Sequence, residues 1–302
     1  MPKDESPEVR GLARILQSLA PWRPLIIPAM IVAFIAGAVA LWWKYGDALV
    51  QSRPQQYHVA LERIHLNAPP DWIKTDVRSD VFHDADWLEH PLSILEDDLT
   101  VRVAQAFEQH TWVAKVTKVT KSSPATLNLE LQYRRPVAMV EVDYQGQGGL
   151  LPVDGNGILL PPEDFTAEEA ITYPRITVDY VGPGGSIGTP WGDAHVKDGA
   201  RIVAVLIDDW NRLGLYRVVA IAGDQPTSLA PTSYELHTRD QARVLWGHAP
   251  GKEVPQESLA EQKLGRLLRY AQQHGGFEGG DGEMVLNLVD EIELSARPQN
   301  SR

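Results

Sequence analysis

The longest unbroken apolar pattern runs from Leu25 to Trp43, LIIPAMIVAFIAGAVALWW, 19 residues without a charge. At 1.5 Å per helical residue it would extend about 28 Å, near the thickness of a bilayer's hydrocarbon core. Trp22 and Arg23 precede the run and Trp42, Trp43 and Lys44 close it. Amphipathic rings and snorkelling cations favour membrane interfaces. The pattern predicts a transmembrane helix over 25–43 anchored by those five residues, with the lipid bilayer as a partner. It follows a tail over 1–24 and precedes a spacer over 44–56.

Beyond residue 57 the period alternates between helix and strand. Leu95, Leu99, Val103 and Phe107 recur at helical spacing over Leu92–Phe107. Leu127, Leu129, Leu131 and Tyr133 alternate with Asn128, Glu130 and Gln132, a period of two. A weaker alternation covers Trp72–Val77, and VAMVEVDY after Pro136 reads as a continuing or neighbouring strand. This gives a small α+β unit over 57–143. A turn at Asp154-Gly155-Asn156-Gly157 opens the next unit, 144–294. Helices are expected there at Asp198–Leu213 and Gln256–Gln273, the latter stopped by Gly275-Gly276. Strands are expected at Tyr216–Ile221, Ser233–His237, Ala242–Leu245 and Met284–Val289, before a tail over 295–302. The fold class is α+β: one transmembrane helix, a small α+β domain, then a mixed β domain with flanking helices.

Composition narrows the chemistry. The 302 residues include no cysteine, which excludes disulfides, thiolate metal sites and cysteine nucleophiles. The net charge is −12. Residues 1–44 carry five Lys/Arg against three acids, so the acidic excess lies wholly in the rest. An acidic body repels phosphate backbones, which argues against nucleic acid. Arg10, Arg14 and Arg23 before the span, against Lys44 and Arg53 after it, place the N-terminus in the cytoplasm and the bulk of the chain in the periplasm. The competing reading, a signal peptide cleaved after Ala38-Val39-Ala40, puts its cut site inside the apolar run.

Three motifs touch on chemistry. Gly184-Gly185-Ser186-Ile187-Gly188 matches the nucleophile elbow G-x-S-x-G, but Thr189-Pro190-Trp191-Gly192 cannot continue a helix from Ser186. His83, Asp84, Asp86, Glu89 and His90 offer hard donors, and more simply read as a solvated acidic surface. Lys263, Arg266 and Arg269 read as the solvated face of the last helix, with Leu259, Leu264, Leu267 and Leu268 as its core face. No catalytic residue, metal, cofactor or small-molecule substrate is expected.

Several of these segments together resemble the FtsQ/DivIB family of bacterial cell-division proteins: Phe107, Trp112-Val113, Leu127–Leu131 and Arg134-Arg135-Pro136-Val137-Ala138 are similar to its POTRA module. Leu151–Leu159, Tyr173-Pro174-Arg175-Ile176, Trp246-Gly247 and Lys263-Leu264 through Leu267 are similar to its β domain. The resemblance covers about residues 22–290. It implies a non-enzymatic, membrane-anchored scaffold of the septal complex in the cell inner membrane, whose terminal sheet edge takes a strand from a small bitopic coiled-coil protein. The residues themselves favour the same place. Val285, Leu286, Asn287, Leu288 and Val289 form an apolar last strand with little sequence after it, open to β-augmentation unless it lies in the sheet centre. Two other readings stand beside this one. One is a POTRA-type module for polypeptide transport or outer-membrane protein assembly, capturing chains at Trp72–Val77 or Leu127–Tyr133. The other is a secreted serine hydrolase using Ser186.

Overall fold

In the computed structural model the described residues are 23–51, 57–144, 146–178, 182–221, 232–277 and 284–289. They fall into two compact units, Met1–His58 and Val59–Arg302.

The first unit contains helix α1, Arg23–Gln51, with Pro28 near its start. Side chains are described over 28–44 and are exposed throughout. Among the described residues no helix is long and apolar enough to cross a membrane, which corrects the transmembrane helix expected over 25–43. The helix runs past the apolar stretch into Lys44 and Asp47. The anchoring read for Trp22, Arg23, Trp42, Trp43 and Lys44 loses the span it depended on, and Trp22 lies outside the described residues. The expected spacer over 44–56 is helical as far as Gln51.

The second unit holds two sheets. The smaller has the order β1-β3-β2, from β1 (Ile64–Leu66), β2 (Val113–Ser122) and β3 (Thr126–Tyr133). The period-two residues Leu127, Leu129 and Leu131 point inward as expected. They meet helices α2 (Val77–Asp84) and α3 (Leu99–Gln109) in one cluster with Ile64, Val81, Val103 and Phe107. Two details differ from the pattern. The Asp76 carboxylate accepts the N–H groups of Arg78 and Ser79, so Trp72–Val77 is no strand and leads into the start of α2. Leu95 is exposed, and α3 begins only at Leu99.

The chain changes sheet at Arg134-Arg135. Strand β4 (Pro136–Tyr144) belongs to the larger sheet, so the division expected between 143 and 144 moves to about residue 135. The sheet continues with β5 (Gln147–Asp154), β6 (Arg175–Thr177), β7 (Leu215–Ile221), β8 (Ser233–Thr238), β9 (Arg243–Gly247) and β10 (Met284–Asn287). Its order is β10-β9-β8-β7-β6-β4-β5. Helices α4 (Ala167–Ala170), α5 (Ala194–Leu206) and α6 (Ala260–His274) complete it. Asp193 caps α5, and Gly275 in the left-handed region ends α6.

The core of this half follows one row across the sheet. Val140, Ile176, Val218, Leu236, Val244 and Leu286 stand opposite one another on six neighbouring strands, all buried. Val196, Val203 and Leu206 of α5 and Leu267 of α6 belong to the same cluster.

The two halves are joined by polar contacts and by apolar packing. The Trp112 Nε1–H donates to Asp164 Oδ2 at 2.6 Å. The Arg134 guanidinium donates to the Thr111 carbonyl at 3.1 Å and to Asp154 Oδ2 at 2.9 Å. Asp154 Oδ1 meanwhile accepts the N–H groups of Asn156 and Ile158, which folds the expected turn. Leu160, though it follows β5, is buried in the apolar cluster of the smaller sheet.

Candidate functional site

Among the described residues strand β10 stands last in the order of the large sheet and pairs in parallel with β9. The Leu288 N–H donates to the Leu245 carbonyl at 2.9 Å, continuing the ladder just past the strand. Leu286 and Leu288 are buried and hold the segment on the core, while Val285, Asn287 and Val289 are half-buried. Backbone polar groups alternate sides along a strand. The groups of β10 that do not meet β9 therefore face away from the sheet.

What fixes this end of the sheet is a buried charge pair under it. Lys263 and Glu257 are fully buried side chains in contact. The sequence pattern had put Lys263 on a solvated face, and the structure corrects that. Glu257 Oε1 also accepts the His248 N–H at 2.8 Å, and Oε2 accepts the Val254 N–H at 3.0 Å. His248 Nδ1 lies 2.6 Å from Oε2. Burial alone would raise the Glu257 pKa. The Lys263 ammonium and the N–H groups of His248 and Val254 outweigh it and bring the pKa down to about 2. The Lys263 ammonium also sits 5.1 Å from the centre of the Trp246 ring. Gly247 makes this closeness possible. At φ +86°, a β-carbon there would lie 2.2 Å from Glu257 Oε1 and 2.6 Å from Val289 Cγ2. The network therefore locks α6, the end of β9 and Val289 together.

The opposite face of the large sheet carries a second constellation. One residue along from the core row, Arg175, Arg217, His237 and Arg243 stand in register on four adjacent strands. The next row on that face holds Glu141, Thr177, Val219 and Glu235. Arg175 donates to Glu141 at 3.0 Å, and the Thr177 hydroxyl donates to the other oxygen at 2.7 Å. Glu235 lies 2.9 Å from His237 and 3.6 Å from Arg243. Strand periodicity alone does not reveal this face, because the register that aligns the cations is a property of the pairing.

The remaining candidates resolve differently. Ser186 lies in an irregular loop, with α5 starting only at Ala194. The ring nitrogens of His195 face Asp193 at 3.0 Å and Thr232 at 3.1 Å. Of the acidic run, His90 pairs with Asp86 at the exposed surface. Among the described residues no group of three or more His, Asp or Glu side chains is arranged to hold a metal. Leu127–Tyr133 is the middle strand of the small sheet, and Asn67 extends its pairing by donating to the Leu131 carbonyl and accepting the Leu131 N–H. Neither it nor Trp72–Val77 offers a strand edge for capturing a chain.

No protein-family model matches this chain, and no curated protein matches it.

Proposed function

We propose that this chain is a non-enzymatic adaptor that recognises a protein partner by strand addition at β10, in the manner implied by its resemblance to FtsQ/DivIB cell-division proteins. The observation that carries the reading is the placement of Met284–Asn287 last among the described strands of the large sheet, held in place by the buried Leu286 and Leu288. A strand so fixed is an ordered template for a neighbouring strand. The buried Lys263–Glu257 pair supports it by holding Gly247 close against Val289. The partner expected is a small bitopic coiled-coil protein of the division complex.

The test is a fluorescent fusion of the full chain followed through the cell cycle, with co-purification of the coiled-coil division proteins. Leu288→Pro deletes the N–H that bonds to Leu245 and so loosens the end of the template on β9. It is expected to abolish co-purification and midcell enrichment while the unfolding transition of the rest of the chain persists. Unchanged recovery of the partner by Leu288→Pro, or a wild-type fusion never found at midcell, would overturn the reading.

A further inference from the structure

The cationic row across the large sheet is unevenly neutralised. Like charges directly opposite on neighbouring strands repel. Glu141 compensates Arg175, and Glu235 compensates His237 and Arg243. Arg217, in the middle, has Val219 where its flanking strands place a threonine and a glutamate. Among the described residues it makes no ion pair, and its guanidinium lies 5.8 Å from the Tyr216 ring centre. Arg175 approaches the same ring at 5.0 Å. The ring is there because the pairing of β7 with β8 slips between Leu215 and Arg217, and such a bulge turns an extra side chain onto one face. The Nε atoms of Arg175 and Arg217 are both shut off from solvent without a hydrogen-bond acceptor. Unmet donors of this kind are uncommon in a finished structure.

Beside the row lies a groove of about 580 Å³. Met139, Leu150, Phe165 and Ile171 line it, together with the paired Glu141 and Arg175. Ile171 is 58 % exposed at the rim. One strand spacing, about 4.8 Å, separates the strand of Arg175 from that of Arg217. Successive side chains of one ligand can reach both places.

We infer that this face binds an acidic, partly apolar segment of another protein. A carboxylate of that segment takes the Arg217 fork, and a neighbouring apolar side chain enters the groove. A guanidinium offers two parallel N–H donors that match a carboxylate. The Tyr216 ring lies 5.8 Å from that guanidinium, within cation–π reach. Glu141 and Glu235 in the adjoining row, and the acidic body around it, turn away a polyanion such as nucleic acid while leaving room for single carboxylates. The site lies on a sheet face, independent of strand addition at β10.

The probe is a short fluorescent peptide alternating leucine and glutamate, compared by anisotropy with the same peptide carrying glutamine, on the full chain. The glutamate peptide is expected to bind about tenfold tighter, the equivalent of one carboxylate contact. Arg217→Gln should bring the two peptides within about twofold of each other, and Arg217→Lys should keep only part of the preference. Ile171→Asp should weaken both peptides. Unfolding midpoints near wild type establish that the variants are folded. If Arg217→Gln fails to fold, Arg217→Lys and added salt decide the matter on the same readout. Equal binding of the two peptides, a preference that survives Arg217→Gln, or tighter Arg217-dependent binding of a single-stranded oligonucleotide would overturn the inference.

Discussion

The ammonium of Lys263 and the carboxylate of Glu257 meet in the interior of the large-sheet half, both side chains fully removed from water. Removing one member of such a pair strands the other charge, at a cost of about 3–5 kcal/mol. Lys263→Met is therefore expected to lose about that much stability in urea unfolding. The double variant Lys263→Met/Glu257→Gln should recover a substantial part, because glutamine is neutral and its carbonyl oxygen can still accept a backbone N–H from His248 or Val254.

The same carboxylate makes stability depend on pH. Its folded pKa, about 2, lies below its ordinary 4.5. The stability it contributes is present above 4.5 and is lost as pH falls from there through about 2. His110 acts in the same direction at higher pH. Burial lowers its pKa from 6.5, against the opposing pull of Asp80, so its contribution is complete above 6.5 and declines below. Urea midpoints should stay level near pH 8, fall gently below 6.5 and fall steeply below 4.5. In Glu257→Gln the steep limb should shrink.

Two glycines separate backbone strain from steric conflict. Gly247 and Gly275 both have positive φ, +86° and +75°. A β-carbon at Gly275 meets nothing within 4 Å, whereas at Gly247 it strikes Glu257 and Val289. Gly275→Ala should cost about 1 kcal/mol, the left-handed penalty alone. Gly247→Ala should cost more than about 2 kcal/mol, and hydrogen exchange should show amides of 284–289 opening faster in that variant only.

At the junction of the halves, Arg134→Met leaves the buried Asp154 carboxylate without its cation. The two N–H groups that Asp154 still accepts soften the loss, so about 2–4 kcal/mol is expected. Trp112→Phe keeps one aromatic ring but deletes the donor to Asp164 and leaves part of the indole's space empty, for about 2–4 kcal/mol. Unfolding should remain a single transition in both.

The residues that declared themselves in the sequence are those whose surroundings are local or strictly periodic. Leu127, Leu129 and Leu131 announce a half-buried strand, and Gly275 ends its helix where a terminator was expected. Lys263 did not, because its place in the core depends on Glu257 meeting it from a loop before the helix, and the helical stripe records spacing rather than partners. Trp72–Val77 alternates weakly, yet two hydrogen bonds to the Asp76 side chain outweigh that alternation and lead into a helix. Met284–Val289 showed its apolar character, but its position at the end of the sheet follows from a seven-strand order that no local pattern encodes. The row of Arg175, Arg217, His237 and Arg243 is invisible for the same reason. Those residues are scattered over nearly seventy positions, and only strand register lines them up.

Leu160 acts as a cork. It is supplied by the large-sheet half and fully enclosed among Trp112, Leu127 and the other residues that fill the small sheet's interior. A fragment stopping at Tyr133 would open an empty, greasy socket, and one starting at Pro136 would carry the plug bare. Dissecting this protein at the visible seam between its sheets should yield sticky, half-formed pieces, so interaction mapping is best done by point substitution in the intact chain.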